Sequence, residues 1–222
     1  MIAAEAREFA GLMPFLDGLE EFAWGLDYAV SALGQGRRWV LAANGPGPRL
    51  ARQAAAGALE RVQGTVISTG FCGALDPSLA VGDIFVAATV LDAASGAQYG
   101  TGTPGGVLLS GDRVFVTARE KAELHESTGA KAVDMEAAAV AQTATEFGRA
   151  FRCVRVVSDA VDQDLPLDFN RYRDASGRFS KRRILSAALA HPFKVLPHLI
   201  QLDRQARYAA RQLGEHLVHA IR

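Results

Sequence analysis

The 222-residue chain is long enough to bury a sizeable core, and we expect one domain spanning residues 1–222. Apolar residues make up 49 % and charged residues 22 % of it, which are ordinary values for a globular protein. Its formal net charge is zero, so no overall positive field would recruit nucleic acid.

Strand-like and helix-like segments alternate up to Val157. The predicted strands are Met1–Ala4, Trp39–Ala43, Thr65–Thr69, Asp83–Leu91, Val107–Leu109, Val114–Val116, a run closed by Val133, and Val154–Val157. The predicted helices are Glu5–Leu16, a helix that follows the Asn44–Pro48 turn and runs through Leu59, Ala118–Ser127 and an Ala-rich segment opened by Glu136, while Ala93–Gly106 is a predicted loop. This alternation favours an α/β fold with a mixed, mostly parallel central sheet covered on both faces.

The charge and hydrophobic pattern of the sequence changes after Pro166. Residues 178–222 carry nine Lys and Arg against two Asp and Glu, a surplus of seven, which the first 177 residues balance. This segment is predicted to be a basic helical extension, with helices at Ile184–Leu189 and Val195–Leu213 interrupted by Pro192 and Pro197.

Two acidic residues stand where predicted buried strands end. Glu136 opens the Ala-rich helix after the Val133 strand, and Asp159 follows Val154–Val157. Because ligands gather at the carboxyl ends of strands in open α/β sheets, both carboxylates are candidates for one pocket. The local pattern alone also fits structural roles, with Asp159 capping a loop and Glu136 satisfying a helix dipole.

Three motifs in order resemble the nucleoside phosphorylase/nucleosidase superfamily, near the methylthioadenosine/S-adenosylhomocysteine nucleosidase branch. They are Ser68-Thr-Gly-Phe-Cys-Gly-Ala-Leu-Asp-Pro-Ser-Leu-Ala-Val-Gly-Asp-Ile84, Val133-Asp-Met-Glu-Ala-Ala-Ala139 and Val157-Ser-Asp-Ala-Val-Asp162. The resemblance covers residues 1 to about 170. It implies a three-layer α/β/α nucleoside phosphorylase-like fold, a homodimer and release of adenine from a 5′-substituted adenosine. The sequence shows no signal-peptide pattern and no apolar run long enough to span a bilayer, so a cytoplasmic location is the default expectation.

The resemblance also implies roles for acidic residues. Asp159 would protonate N7 of the leaving adenine, a role for which burial must keep a carboxylic acid protonated. Glu136 would accept hydrogen bonds from the two ribose hydroxyls, with Met135 packing on the sugar. Glu5 would activate the attacking water, and Glu8, one turn further on, is the alternative.

The remaining predicted site residues line the base and the sugar. The glycine-rich turn would bring backbone N–H groups close to the ligand. These residues are Phe71, Cys72, Gly73, Val114, Phe115, Ser158 and Phe169. Phe115 lies one position later than the aromatic residue in the Ser-Gly-Asp-x-aromatic pattern of the family, and Phe169 is explained almost as well as a core residue.

No metal or organic cofactor is expected. Cys72 and Cys153 give no metal spacing and no disulfide framework, and the histidines, four of them in the tail (His191, His198, His216 and His219), show no metal spacing either. Asn44-Gly-Pro-Gly-Pro48 lacks the Lys and spacing of a Walker motif and is interpreted as a tight strand-to-helix turn.

Hydrolysis and phosphorolysis of a nucleoside would use the same carboxylates. Phosphorylases of the superfamily tend to carry an Arg just before the glycine turn, where this chain has Ser68-Thr69. That difference favours water as the nucleophile, although Arg49 and Arg113 could supply a phosphate site. A nucleoside-binding protein without chemistry is the third alternative, because the short first strand leaves the water-activating Glu in question.

A further resemblance is carried by Leu165-Pro-Leu-Asp-Phe-Asn-Arg-Tyr-Arg-Asp-Ala-Ser-Gly-Arg178 and by Ile184–Leu213 with its His191-Pro-Phe-Lys-Val-Leu-Pro197 run. These segments resemble the hopanoid-associated phosphorylase branch, in which the substrate is adenosylhopane, a lipid-linked nucleoside. A basic amphipathic segment can lie on an anionic bilayer, so residues 178–222 are a candidate peripheral membrane contact. The alternative is a helix that packs on the sheet or on a second subunit and leaves its Lys and Arg side chains in water.

Overall fold

The computed structural model describes residues 1–190 and 192–220. His191, one of the tail histidines, and residues 221 and 222 at the end of the predicted extension lie outside the described residues.

The strands are β1 (Ile2–Ala3), β2 (Asp17–Glu21), β3 (Tyr28–Gly34), β4 (Arg37–Ala43), β5 (Val66–Ala74), β6 (Ile84–Asp92), β7 (Gln98–Gly100), β8 (Gly106–Ser110), β9 (Ala132–Asp134) and β10 (Phe151–Asp159). The helices are α1 (Pro48–Leu59), α2 (Ala118–Thr128), α3 (Ala137–Glu146), α4 (Lys181–Ala190) and α5 (Pro192–Ala220). Short 3₁₀ helices occupy Ala6–Phe9, Met13–Phe15 and Phe169–Tyr172.

The central sheet closes on itself around five strands. β5 pairs with β10, β10 with β6, β6 with β8, β8 with β9, and β9 returns to β5. From β5 the sheet continues outward through β1, β4 and β3 to β2, and β7 pairs with β6. The closed part brings the ends of β5, β9 and β10 close together, which is where the site lies.

Helices cover the two faces of the sheet and confirm the three-layer α/β/α class. Ala-rich α1 and α3 pack together over one face, where their alanines form a core cluster with sheet residues such as Ala42 and Val66. On the other face, Leu213 and Leu217 of α5 pack with Leu41. The second half of α5 is therefore part of the main core, while its first half and α4 lie nearer the surface.

The predicted helix Glu5–Leu16 is wrong. The segment instead forms the two 3₁₀ turns, and Gly11 between them packs against α5: a Cβ on Gly11 would lie 2.1 Å from the Ala210 carbonyl oxygen. Gly214 of α5 faces Gly11 in the same way. This glycine–glycine contact lets the chain pass closer to α5 than a regular α-helix with side chains would allow.

Other local predictions differ in their boundaries. Val114–Val116 is not a strand, since the Val114 backbone bonds to the Asn170 side chain rather than to a neighbouring strand. The predicted loop Ala93–Gly106 contains β7. Strands β2 and β3 were not predicted, and β10 is longer than expected, so that Asp159 is its last residue.

Candidate active site

A cavity of about 400 Å³ opens where β5, β9 and β10 end. It is lined by all of the residues predicted from the sequence to act on substrate, which are Glu5, Phe71, Cys72, Gly73, Val114, Phe115, Met135, Glu136, Ser158, Asp159 and Phe169. Glu8, the alternative to Glu5, lines it as well. The structure thus brings together side chains that are far apart in the sequence.

Asp159 projects into this cavity from the end of β10. A register shift after Val157 places it opposite Gly73 of β5, and a Cβ on Gly73 would lie 3.0 Å from its Oδ2. Glycine at this position therefore leaves room for the carboxylate. The Ser158 hydroxyl donates to Asp159 Oδ1 at 2.8 Å.

A buried lysine, which was not predicted, holds the other oxygen of Asp159. Lys121 Nζ donates to Asp159 Oδ2 at 2.6 Å and to the carbonyl oxygens of Ala160 at 2.7 Å and Gln163 at 3.2 Å. Its side chain is 1 % exposed. The sequence suggested an apolar environment for Asp159, but the structure places a buried lysine against its carboxyl group. Lys121 lies in the predicted helix Ala118–Ser127, and its local sequence does not mark it as buried.

Glu136 is the residue that precedes α3, and it is buried. Its Oε1 accepts a hydrogen bond from the Gly47 backbone N–H at 2.7 Å. Burial, assisted by the negative charge of Asp134, raises the pKa of Glu136 from 4.5 to about 8. One oxygen is thus fixed by the turn before α1, and the side chain reaches the cavity next to Met135.

Arg155 and Asp134 form a buried ion pair beneath the acidic residues. Arg155 also donates to the Thr69 carbonyl oxygen at 2.5 Å and to Ser68 Oγ at 2.8 Å. Asp134 Oδ2 accepts the Ala137 backbone N–H at 2.9 Å and so caps the start of α3. No role was predicted for either side chain. The signal was present, since a charged residue interrupts the apolar run Val154–Val157.

Glu8 is buried against the glycine turn of β5. Its Oε2 accepts the backbone N–H groups of Ala4 at 2.8 Å and Glu5 at 2.9 Å, and its Oε1 accepts that of Phe71 at 3.0 Å. Gly70 has φ +130°, and a Cβ there would lie 2.6 Å from Glu8 Oε1. Burial raises the pKa of Glu8, although these hydrogen bonds act against the shift.

Glu5 has a different environment. Its side chain is 33 % exposed and pairs with Arg7 at 2.5 Å. A carboxylate bound to an exposed arginine is less free to act on a water molecule than one enclosed in the cavity wall.

The other lining side chains are mainly apolar. Val114 is fixed by Asn170, whose Oδ1 accepts the Val114 N–H at 2.8 Å. The Arg113 guanidinium lies 4.4 Å from the Phe115 ring centroid, and Phe169 meets Phe179 edge-on at 6.2 Å. Cys72 is buried, and burial raises the pKa of its thiol well above the ordinary value, which argues against a nucleophilic thiolate.

A phosphate site would need free cations near the glycine turn. Ser68 and Thr69 are instead buried against Arg155, whose charge is already paired with Asp134. Arg113 lines the cavity but pairs with Glu120 at 2.8 Å, and Arg49 is absent from the lining and donates to the Ser176 carbonyl oxygen. Within residues 1–190 and 192–220, no cluster of three His, Cys, Asp or Glu side chains could hold a metal ion.

The model of the Phosphorylase superfamily matches residues 3–105 and 97–190 of this chain. The chain belongs to this superfamily. A 5′-methylthioadenosine/S-adenosylhomocysteine nucleosidase of Staphylococcus saprophyticus is 32 % identical over 140 residues, which cover 48 % of this chain and 61 % of that protein. The match thus spans less than two thirds of this relative.

Solved structures of the same fold cover nearly the whole chain. The 5′-methylthioadenosine/S-adenosylhomocysteine nucleosidase of Neisseria meningitidis, in complex with methylthio-immucillin-A, matches with a TM-score of 0.76 and 22 % identity over 99 % of this chain and 96 % of that one. Futalosine hydrolase of Helicobacter pylori matches with a TM-score of 0.73 and 18 % identity over 97 % and 93 %. At these identities the likeness establishes the fold.

Proposed function

We propose that this protein is a nucleosidase that hydrolyses the N-glycosidic bond of a 5′-substituted adenosine and releases adenine. The observation that carries the proposal is the meeting of Asp159, Glu136 and Glu8 in one cavity, each delivered by a different part of the fold. Membership of the phosphorylase superfamily supports it, as do the relatives named as methylthioadenosine/S-adenosylhomocysteine nucleosidases.

Each carboxylate has a distinct proposed task. As the C1′–N9 bond breaks, its electron pair moves onto adenine and Asp159 gives a proton to N7. Glu136 accepts hydrogen bonds from the ribose hydroxyls, and Met135 packs against the sugar. The task of Glu136 requires its ionised form, because only a carboxylate accepts from both hydroxyls of the diol.

Glu8 is our preferred residue for activating water. A water oxygen would bond to C1′ while its proton passes to the Glu8 carboxylate. Burial and three backbone hydrogen bonds hold Glu8 in one position, whereas Glu5 is tied to Arg7 at the surface. The raised pKa of Glu8 also suits a base that must accept a proton.

Phosphorolysis is the alternative reaction. It is disfavoured because Arg155, which binds Ser68 and Thr69 at the glycine turn, is already paired with Asp134. A protein that binds nucleosides without cleaving them is the alternative of another class. The enclosed Glu8 argues against it, because a carboxylate suited to activating water is present despite the short first strand.

A large apolar 5′ group is part of the proposal. Leu165, Phe169, Phe179 and Ile184 all contribute apolar surface to the cavity, which suits a substituent larger than methylthio. The resemblance of the tail to the hopanoid-associated branch points the same way, toward a lipid-linked nucleoside met at a membrane through residues 178–222. The resemblance of the three motifs to the nucleosidase branch supports a homodimer.

A panel of 5′-substituted adenosines tests the proposal. Purified protein should release adenine from at least one member, detected by chromatography. The Asp159→Asn variant, which keeps the shape of the side chain, should bind the same compound without releasing adenine. Binding without cleavage by the parent protein would favour the non-enzyme alternative, and no binding of any member would refute the site itself.

A further inference from the structure

The proposed reaction needs a proton for N7 of the leaving base, and Asp159 is bound to a group that carries one. Lys121 Nζ donates to Asp159 Oδ2 at 2.6 Å. The Lys121 side chain is 1 % exposed, and the residue lines the same cavity as Asp159. A buried ammonium group in direct contact with the proposed acid is a second candidate for the source of that proton.

The contacts of Lys121 fit its protonated form. Nζ has three acceptors, which are Asp159 Oδ2, the Ala160 carbonyl oxygen at 2.7 Å and the Gln163 carbonyl oxygen at 3.2 Å. An ammonium group has three N–H donors and no lone pair, so it satisfies all three acceptors at once. A neutral amine would turn its lone pair toward one of these oxygens. The proton therefore lies on the lysine.

Ser158 lets the Asp159 carboxyl group change its protonation state. The Ser158 Oγ lies 2.8 Å from Asp159 Oδ1 and 3.1 Å from the Cys72 carbonyl oxygen. A serine has one hydroxyl proton, which it can donate to either acceptor. The hydroxyl donates to Oδ1 while Asp159 is ionised and can turn to Cys72 when the carboxyl group holds a proton. Neither state leaves the serine hydroxyl without an acceptor.

Gly73 keeps side chains away from the oxygen that Lys121 binds. A Cβ on Gly73 would lie 3.0 Å from Asp159 Oδ2 and 3.5 Å from Oδ1. Gly73, Lys121 and Asp159 all line the cavity. One proton can thus pass from Nζ to the carboxyl group of Asp159 and from there to a base held in the cavity.

We propose that Lys121 supplies the proton that Asp159 passes to N7 of the leaving adenine. The Nζ–H bond breaks and the proton moves to Asp159, which transfers it to N7 as the electron pair of the C1′–N9 bond moves onto the base. Lys121 is left as a neutral amine while Glu8 holds the proton of the attacking water, so the net charge of the site is unchanged. Exchange with water then restores both groups. This inference rests on the proposed nucleosidase function.

Two leaving groups of different basicity test the proposal. Adenine needs a proton as it departs, whereas 4-nitrophenolate departs from a 5′-methylthioriboside without one. Lys121→Met should slow adenine release from methylthioadenosine about 100-fold or more, the usual worth of a positioned acid, but should release nitrophenolate within about fivefold of the parent rate. Equal losses for the two substrates would mean that Lys121 only holds the site together, and the proposal would be wrong.

Lys121→Arg separates the supply of a proton from the positioning of Asp159. Arginine keeps a positive charge and several N–H donors, but its guanidinium does not give up a proton in proteins. This variant should therefore also slow adenine release about 100-fold or more while it still releases nitrophenolate. Adenine release within about tenfold of the parent rate would show that the lysine only positions Asp159, which would overturn the proposal.

An exposed lysine provides the control. Lys131→Met removes an ammonium group that is 51 % exposed and paired with Asp76, so both release rates should stay at the parent values. The parent protein separates this inference from the proposed function. If the parent releases neither adenine nor nitrophenolate, the nucleosidase proposal fails and the proton supply fails with it. If the parent releases both and the Lys121 variants lose both alike, only the role of the lysine is wrong.

Discussion

Removal of the Lys121 ammonium should damage both stability and activity. Lys121→Met keeps an unbranched apolar stem but deletes the donor to Asp159, Ala160 and Gln163. Truncating one partner of a buried ion pair typically costs about 3–5 kcal/mol of the free energy of unfolding. Because the Asp159 side chain is 14 % exposed and can regain some hydration, we expect the lower end, about 3 kcal/mol.

That loss should be visible as a fall in melting temperature of about 6–12 °C, using about 2–4 °C per kcal/mol for a chain of this size. Adenine release should fall as well, since the loop after β10 and the carboxylate of Asp159 lose their anchor. Lys131→Met is the matched control. Lys131 pairs with Asp76 at 3.4 Å but is 51 % exposed, so its loss should cost less than about 1 kcal/mol.

A double-mutant cycle isolates the pair. Asp159→Asn in the Lys121→Met background removes the unpaired charge, so the double variant should regain much of the lost stability. The coupling free energy from chemical denaturation should be about 2–3 kcal/mol. If the two single effects add to within about 0.5 kcal/mol, the ion pair does not stabilise this site, and our description of the Asp159 environment is wrong.

Four further predictions follow from the carboxylates. Asp159→Asn should lower turnover about 100-fold or more while ligand binding persists, as measured by adenine release and calorimetry; near-normal turnover would exclude Asp159 as the acid. Glu8→Gln should lower turnover about 100-fold, whereas Glu5→Gln should change it less than about fivefold, and the reverse order would restore Glu5 as the base. Because the pKa of Glu136 is about 8, kcat/KM should rise with pH up to that value, and Glu136→Gln should abolish this rise and most of the preference for ribose over 2′-deoxyribose. The free energy of unfolding changes with pH in the opposite direction. Glu136 binds its proton more tightly in the folded chain than in the unfolded chain, where its pKa is 4.5. The stabilisation from this proton is therefore complete below pH 4.5 and is lost as the pH rises through about 8. Thermal melts of Glu136→Gln should therefore depend less on pH than those of the parent across that window.

The sequence predicted the parts of the site that short motifs carry. The sequence places Asp159 and Glu136 at the ends of buried strands, and the rule that ligands gather at the ends of parallel strands predicted their meeting. The two acidic residues do meet, but β9 runs antiparallel to β5 while β10 runs parallel to it, so the closure of the sheet brings them together. Alternating strands and helices likewise predicted the layered fold. The closure of β5, β6, β8, β9 and β10 could not be predicted, because it depends on pairings between strands distant in sequence.

The missed residues are those whose role depends on tertiary packing. Lys121 occupies a helix with many charged residues, and only the fold shows that it is buried next to Asp159. The choice between Glu5 and Glu8 depended on local conformation. A regular α-helix was predicted, but Ala6–Phe9 is a 3₁₀ turn in which Glu8 is buried and accepts the backbone N–H groups of Ala4 and Glu5. Arg155 could have been identified as a charge inside an apolar strand.

The most direct test of the central claim is a product analysis in phosphate-free buffer. The purified chain is incubated with methylthioadenosine and with a long-chain 5′-alkyl analogue, and the products are identified by chromatography and mass spectrometry. Our account predicts adenine and free 5′-substituted ribose in equal amounts, with no gain when phosphate is added. Cleavage that occurs only with phosphate and yields a ribose 1-phosphate would contradict it.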